Sequence, residues 1–325
     1  MTTKVGIIGY GNLGRGVEGA IAQNDDMELV AVFTRRDPKT VTIAGDAAIH
    51  HVDDAEQFIG KIDVMILCGG SATDLPEQVP HFAQWFNTID SFDTHAKIPE
   101  FFATVDAVNA ASNTVSIISV GWDPGLFSLN RALGEAVLPQ GDTYTFWGDG
   151  LSQGHSDAVR RIDGVAKAVQ YTLPVSAAVE RVRNGEAPTL STREKHTRVC
   201  YVVAKEGADT EKITEEIVTM PNYFADYDTT VHFISAEEFA KDHTGMPHGG
   251  FVIRSGQSQA GHKQIVEFNL KLESNPYFTS SVLVAYARAA HRLAQKGDFG
   301  AKSVLDIPVS AISPKSGEAL RKELL

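Results

Sequence analysis

The chain is poor in sulfur and has no surplus of positive charge. Its only two cysteines, Cys68 and Cys200, are isolated and lack the spacing of a metal site, so a reduced, cytosolic protein is the simplest reading. No run of about 18 or more apolar residues is present, and no segment reads as a membrane-spanning helix. A formal charge of −12 argues against nucleic acid or an anionic membrane as partner. Thr2, Thr3 and Lys4 lead straight into an apolar segment with no small-residue cleavage site, so no signal peptide is expected. Internal repeats and low-complexity tracts are absent as well. What is there, 325 residues with 43% hydrophobic and 22% charged, suits a globular protein of two ordinary domains.

The most informative segment is the N-terminal run Lys-Val-Gly-Ile-Ile-Gly-Tyr-Gly-Asn-Leu-Gly-Arg-Gly at residues 4–16. An apolar strand enters Gly9-x-Gly11-x-x-Gly14, with Tyr10, Asn12 and Leu13 between the glycines, and a helix pattern follows. The first glycine permits a tight turn, the second lets a pyrophosphate approach the backbone, and the third lets helix and strand pack closely. The helix N-terminus then offers free N–H groups and a positive dipole end. With a second strand at residues 28–33, this is the context a dinucleotide site requires. An NAD site usually carries an acidic residue at the end of that second strand. Here Thr34, Arg35 and Arg36 stand there, offering a hydroxyl and two guanidiniums to a 2′-phosphate. The cofactor expected is NADP.

Residues 1–120 alternate strand and helix, which implies a doubly wound parallel sheet of the Rossmann type. A short third strand is expected near 47–52, then strands at 63–68, 87–92 and 115–120. The loop from Cys68 and Gly69 through Ser71, Ala72 and Thr73 follows a strand end and borders the cofactor. Thr73 or Asp74 is expected to cap the next helix, with Pro76 in its first turn. Beyond residue 120 the rhythm changes to strand-like runs at 142–147, 197–204 and 231–234. These point to a mixed α+β, largely antiparallel second domain at 121–275. Residues 180–192 read as an exposed connection. A long amphipathic helix, capped by Thr279 or Ser280 and stopped by Gly297, is expected to return the segment 276–325 to the first domain.

Several short segments carry more Gly, Trp, His and Asp than packing needs. Asp123 in Gly-Trp-Asp-Pro-Gly follows the last strand of the first domain and could receive an ammonium or a proton; it could equally be a turn or cap residue. Asp93 also follows a strand end, so both carboxylates could meet at one site. In residues 146–161, Gly148, Gly150 and Gly154 expose N–H groups suited to a carboxylate, and Trp147 offers a flat wall. The bland alternative is a glycine loop capped by Ser156 before a helix. His243 and His248 suggest a metal, yet Pro247 and the intervening glycines bar a shared helix face and no third ligand lies nearby. No metal is expected.

Together these segments resemble the meso-diaminopimelate D-dehydrogenases over essentially the whole chain. The match runs through the glycine turn, Phe-Thr-Arg-Arg, Gly-Ser-Ala-Thr-Asp-Leu-Pro-Glu-Gln, Gly-Trp-Asp-Pro-Gly, Gly-Leu-Ser-Gln-Gly-His-Ser-Asp, Gln-Tyr-Thr-Leu-Pro and His-Thr-Gly-Met-Pro-His-Gly-Gly. The resemblance implies an NADP-dependent oxidation of a D-configured amino acid centre by a cytosolic homodimer of the lysine and cell-wall precursor pathway. It implies Thr172, Arg198 and His248 on the carboxylate of the distal L-centre, with Asn275 close by. Asp93 and Asp123 would hold the reacting amine, while Trp147, Gln153 and Gly154 shape its pocket and Asp157 borders it. The proton acceptor stays open between Asp93, Asp123 and solvent. Two rival readings are an imine reductase resembling dihydrodipicolinate reductase and a non-catalytic NADP sensor.

Overall fold

The computed structural model describes residues 2–325, and the chain divides into two compact units, Met1–Leu129 with Pro276–Leu325 and Asn130–Asn275. The first unit is built on a seven-stranded, all-parallel sheet. Its strands are β1 (Thr3–Ile8), β2 (Met27–Thr34), β3 (Ala48–His51), β4 (Val64–Leu67), β5 (Asn87–Asp90), β6 (Val115–Ile117) and, from the end of the chain, β14 (Gly300–Lys302). Their spatial order is β14-β6-β5-β4-β1-β2-β3. The order reverses between β1 and β4, which opens a crevice at the strand C-termini.

Both faces of this sheet are covered, which is why the central strand β4 is apolar and buried at every position from Val64 to Leu67. On one face Val5, Ile7, Val64 and Ile66 pack against α1 (Asn12–Ile21) and the long helix Asn275–Gln295. On the other, Ile8, Phe33, Met65 and Leu67 meet α2 (Leu75–Phe82) and α3 (Ile98–Ser112). The long helix Asn275–Gln295 thus returns to the sheet of the first unit, as expected. It is tied down by Ser280 Oγ donating to the Leu13 carbonyl at 2.9 Å and by Arg288, which forks onto Asp26 at 2.6 and 2.7 Å. That bond holds the Asp26 carboxyl below its usual range. The helix begins at Asn275, one turn before the expected cap. Pro276 is tolerated in a first turn because its missing N–H has no partner there anyway, and Ser280 lies inside the helix, its one hydroxyl proton shared between the Leu13 carbonyl and the Pro276 carbonyl at 2.7 Å.

The second unit holds two sheets. One has the order β11-β10-β9-β8, from β8 (Gly150–Leu151), β9 (Val165–Pro174), β10 (His196–Ala204) and β11 (Asp228–Phe233). The other is β13-β12-β7, from β7 (Gly141–Trp147), β12 (His248–Gln259) and β13 (His262–Leu272). All pairs are antiparallel except β10 with β11. Two expectations give way here. Ser156 lies inside the helix Gln153–Arg160, with Ser152 in the N-cap position, and its hydroxyl bonds back to the Ser152 carbonyl at 2.6 Å. Residues 180–192 are not one connection, because the helix Ser176–Arg183 buries Ala178, Val179 and Val182 against Tyr144, Phe146 and Ile253.

Candidate active site

The crevice of the first unit holds a cavity of about 310 Å³ lined by Gly9, Tyr10, Gly11, Thr34, Arg35 and Arg36 on one side and Cys68, Gly69, Gly70 and Asp74 on the other. Gly14 sits where helix and strand touch: a Cβ there would lie 2.2 Å from the Gly9 carbonyl oxygen. At Gly11 an added Cβ would meet nothing within 4 Å, so open backbone is presented to a ligand. Asn12, Leu13 and Gly14 form the first turn of α1, while Ser71, Ala72 and Thr73 follow the β4 loop; none of these six lines the cavity. Burial holds the Cys68 thiol protonated, so it serves as an apolar wall.

The cation pair is pre-set. Arg36 donates from Nη2 to the Tyr10 carbonyl at 2.8 Å, and its N–H meets Thr34 Oγ1 at 3.1 Å, which leaves the threonine proton free to donate. Arg35 forks onto Asp74 at 3.0 and 3.2 Å. Asp74 therefore is no side-chain cap for α2: it stands at the N-cap position, but its carboxylate reaches back to the Gly70 N–H at 2.8 Å and to Arg35. Tyr10 is fixed from behind, its hydroxyl donating to buried Glu18, which also accepts from Gly45 N at 2.7 Å. Burial, followed by that bond, pushes the Tyr10 hydroxyl up to about 12. A glycine turn, a helix start, one hydroxyl and two guanidiniums fit a dinucleotide bearing a 2′-phosphate.

Asp93 and Asp123 also belong to this unit, just past the C-termini of β5 and β6. Asp93 is exposed, and its N–H is held by Ser71 Oγ at 2.9 Å, which links it to the β4 loop.

In the second unit one rung of the four-stranded sheet gathers residues far apart in sequence. Gly150 pairs with Thr172, and Thr172 with Arg198. Arg198 is 7% exposed; its Nη1 donates to Thr172 Oγ1, and its guanidinium lies 3.9 Å from the centre of the Tyr227 ring. Its Nε is buried without a partner, and no carboxylate among the described residues pairs with it. Burial holds the guanidinium below its ordinary pKa. His248 occupies the space Gly150 leaves open, since a Cβ at Gly150 would lie 2.4 Å from its Nδ1. That nitrogen lies 2.8 Å from the Gly249 N–H and 3.2 Å from the Gly249 carbonyl, which fixes the ring against β12.

Around this rung stand the other expected residues. Trp147 ends β7 with its indole stacked on His196, ring centres 5.3 Å apart, and its main-chain N–H donates to His196 Nε2 at 2.8 Å. Burial, and then the charge of Arg198, push both His155 and His196 down to about 4, so both rings are neutral and Arg198 is the standing cation. Gln153 and Gly154 open the helix Gln153–Arg160, and Gln153 reaches the Met246 sulfur at 3.2 Å. Asp157 pairs with Arg160, and the Asn275 N–H meets the Met246 carbonyl at 2.9 Å. His243 is engaged elsewhere, with Tyr171 at 3.0 Å and stacked on Tyr201. His196, Tyr227 and Glu18 were not anticipated, and Asp74 was expected only as a helix cap. His196 could have been, because it stands two residues before Arg198 on the same strand face; nothing local points to Tyr227.

Comparison with known proteins adds the family. The description Diaminopimelic acid dehydrogenase C-terminal domain matches residues 121–274. The meso-diaminopimelate D-dehydrogenase of Lysinibacillus sphaericus is 76% identical over 322 residues, 99% of each chain. A solved structure of C. glutamicum DAP dehydrogenase in complex with DAP is 47% identical, with a TM-score of 0.92 over 100% of both chains. An engineered D-amino acid dehydrogenase bound to NADP+ is 45% identical, with a TM-score of 0.86 over 100% of both chains.

Proposed function

The chain belongs to the meso-diaminopimelate D-dehydrogenase family, and we propose that it catalyses the reversible NADP-dependent oxidative deamination of meso-2,6-diaminopimelate. Water is consumed at the D-centre, and the products are L-2-amino-6-oxopimelate, ammonia and NADPH. The observation that carries this reading is Arg198, a buried guanidinium that no carboxylate among the described residues neutralises. A buried charge without a counter-charge is costly, so the site is built for an anion brought by a ligand.

The substrate offers two carboxylates and two ammoniums. Arg198, Thr172 and His248 take the carboxylate of the L-centre, with Asn275 beside them. Asp93 and Asp123 hold the amine of the D-centre. Trp147 walls its pocket, and Gln153 and Gly154 supply the opening turn of a helix, whose N–H groups suit the second carboxylate. Reading both ends rejects simple amino acids, because a missing group leaves a buried polar partner unmet. Anchoring the L-centre also leaves one orientation for the D-centre, so stereospecificity follows from geometry. The amine must lose its proton before its carbon can be oxidised, and Asp93, Asp123 or solvent takes it.

NADP, when bound, supplies the hydride acceptor. Thr34, Arg35 and Arg36 hold its 2′-phosphate, which an NAD site would replace with an acidic residue. Gly9, Tyr10, Gly11, Asn12, Leu13 and Gly14 hold the pyrophosphate, and Cys68, Gly69, Ser71, Ala72 and Thr73 border the remainder. The enzyme acts as a homodimer in the cytoplasm. Supporting self-association, Ile265 and Val266 on β13 and Leu133 and Val137 on the helix Leu126–Val137 expose apolar side chains, and size measurement by light scattering tests it. The test of the activity is NADP reduction followed by absorbance with meso-, LL- and DD-diaminopimelate, and with NAD as control. Fast turnover of the meso isomer with NADP, and little with the LL isomer or NAD, is expected. Binding of NADPH with turnover of no isomer would sink the reading.

A further inference from the structure

Strand β5 ends in a carboxyl to which no role in binding or chemistry has been given. Asp90 is fully buried, and its Oδ1 accepts two N–H bonds, from Phe92 at 2.8 Å and from Ser119 at 3.1 Å. Its main-chain carbonyl accepts a third, from Val120 at 2.8 Å. Phe92 directly precedes Asp93, and Ser119 and Val120 lead into Asp123. One residue therefore fastens both segments that carry the candidate amine-holding acids. The second segment is bent at the point of attachment: Ser119 has φ of +57°, in the left-handed region that a serine adopts only when held there. Asp93 is tethered a second time, through its N–H to Ser71 of the loop after β4.

The choice of a carboxyl at this point is otherwise costly. Asp90 Oδ2 and Ser119 Oγ are both buried with no hydrogen-bond partner among the described residues, and no cation among them pairs with the carboxyl. An apolar side chain would fill the end of a parallel strand without that penalty. What it could not do is accept two main-chain N–H groups from two different segments. We propose that Asp90 is a positioning residue, which sets Asp93 and Asp123 in register for the reacting amine by joining the β5 and β6 segments through one carboxyl oxygen. This rests on the reading of Asp93 and Asp123 as the groups that hold the amine.

The test compares Asp90→Ala and Asp90→Asn with the unaltered enzyme, using meso-diaminopimelate turnover and NADPH binding by fluorescence. Asn keeps an acceptor oxygen at the same place, whereas Ala removes it. Asp90→Ala is expected to lower kcat/KM for meso-diaminopimelate at least about tenfold while the NADPH dissociation constant stays within about twofold, and Asp90→Asn is expected to recover most of the loss. If the alanine variant does not fold, Asp90→Ser takes its place under the same limits. Unchanged kcat/KM in the alanine variant overturns the proposal, as does a parallel loss of NADPH binding or an asparagine variant no better than alanine. An unaltered enzyme that binds NADPH but turns over no diaminopimelate isomer overturns the underlying reading instead.

Discussion

Arg35 and Arg198 are built in opposite ways for what we read as the same task, meeting an anion. Arg35 lies at the end of β2 with 67% of its side chain exposed, and its fork is already engaged by Asp74. Arg198 is buried in the middle of a sheet, braced by Thr172 and Tyr227, and pairs with no acid among the described residues. In water a guanidinium is cheap to hold and its contacts are weak. Out of water it is expensive alone and strong once paired. The first design suits a cofactor shared among many proteins and released after each turnover. The second suits selection, because a ligand without the carboxylate leaves the charge uncompensated.

Removing Arg198 should therefore have the largest effect. Arg198→Met is expected to lower kcat/KM for meso-diaminopimelate by about 10²–10³-fold, the loss typical for one partner of a desolvated pair. Its NADPH affinity should not change, and its melting temperature should hold or rise, since an unpaired buried charge has gone. A kcat/KM within tenfold of the unaltered enzyme would break the comparison. Arg35→Ala and Arg36→Ala should act more mildly, each raising KM for NADP about tenfold with kcat for saturating substrates little changed. The double variant should bring NADP and NAD close to parity; equal losses with both cofactors would mean that the pair does not read the 2′-phosphate.

The two units should also respond oppositely to acid. Burial raises the Asp90 carboxyl in the first unit to about 7, outweighing the two N–H bonds that lower it. A carboxyl raised in the folded state contributes stability below its unfolded pKa and loses it as pH climbs towards 7. Burial lowers His196 in the second unit to about 4, so its contribution is full above its unfolded value and is lost as pH falls through that window. Each is worth roughly 1 kcal/mol per pH unit between these limits. On going from pH 7 to pH 5, hydrogen exchange corrected for its intrinsic rate should show β10 amides losing protection and β5 amides keeping or gaining it. The reverse order would show that these two groups do not set the balance.

The first unit was legible because its signals are local. The glycine turn, the apolar runs of β1, β2 and β4 and Thr34-Arg35-Arg36 each lie within a few residues, whereas the strand order and the place of β14 beside β6 rest on pairings distant in sequence. The second unit was only half legible. Gly150, Thr172 and Arg198 stand on one rung, yet that pairing is set by long-range register that no spacing reveals. The hairpin of β12 and β13 was missed, since Gly249 and Gly250 interrupt its start and β13 is exposed along most of its length without a clean alternation. Of the two expected caps, Thr73 and Asp74, Asp74 holds the N-cap position but makes no side-chain cap bond. Its place before a helix invites capping, but the turn at Gly70 offers its carboxylate a nearer N–H and Arg35 a charge.

The smallest expected effect separates the two guanidiniums without any mutation. Raising ionic strength from about 0.1 to about 1 M shortens the screening length from about 10 to about 3 Å. Arg35 and Arg36 are exposed, so salt both screens the approach of the 2′-phosphate and competes for the fork. Arg198 is buried, so an anion that pairs with it there should be screened far less. KM for NADP should rise about three- to fivefold across this range, while KM for meso-diaminopimelate moves less than about twofold. The difference should shrink in Arg35→Ala, where part of the screened contact has already gone. Equal salt dependence for both ligands would mean that the buried guanidinium is reached by solvent when substrate binds, and the contrast between the two sites would fail at the step where it matters.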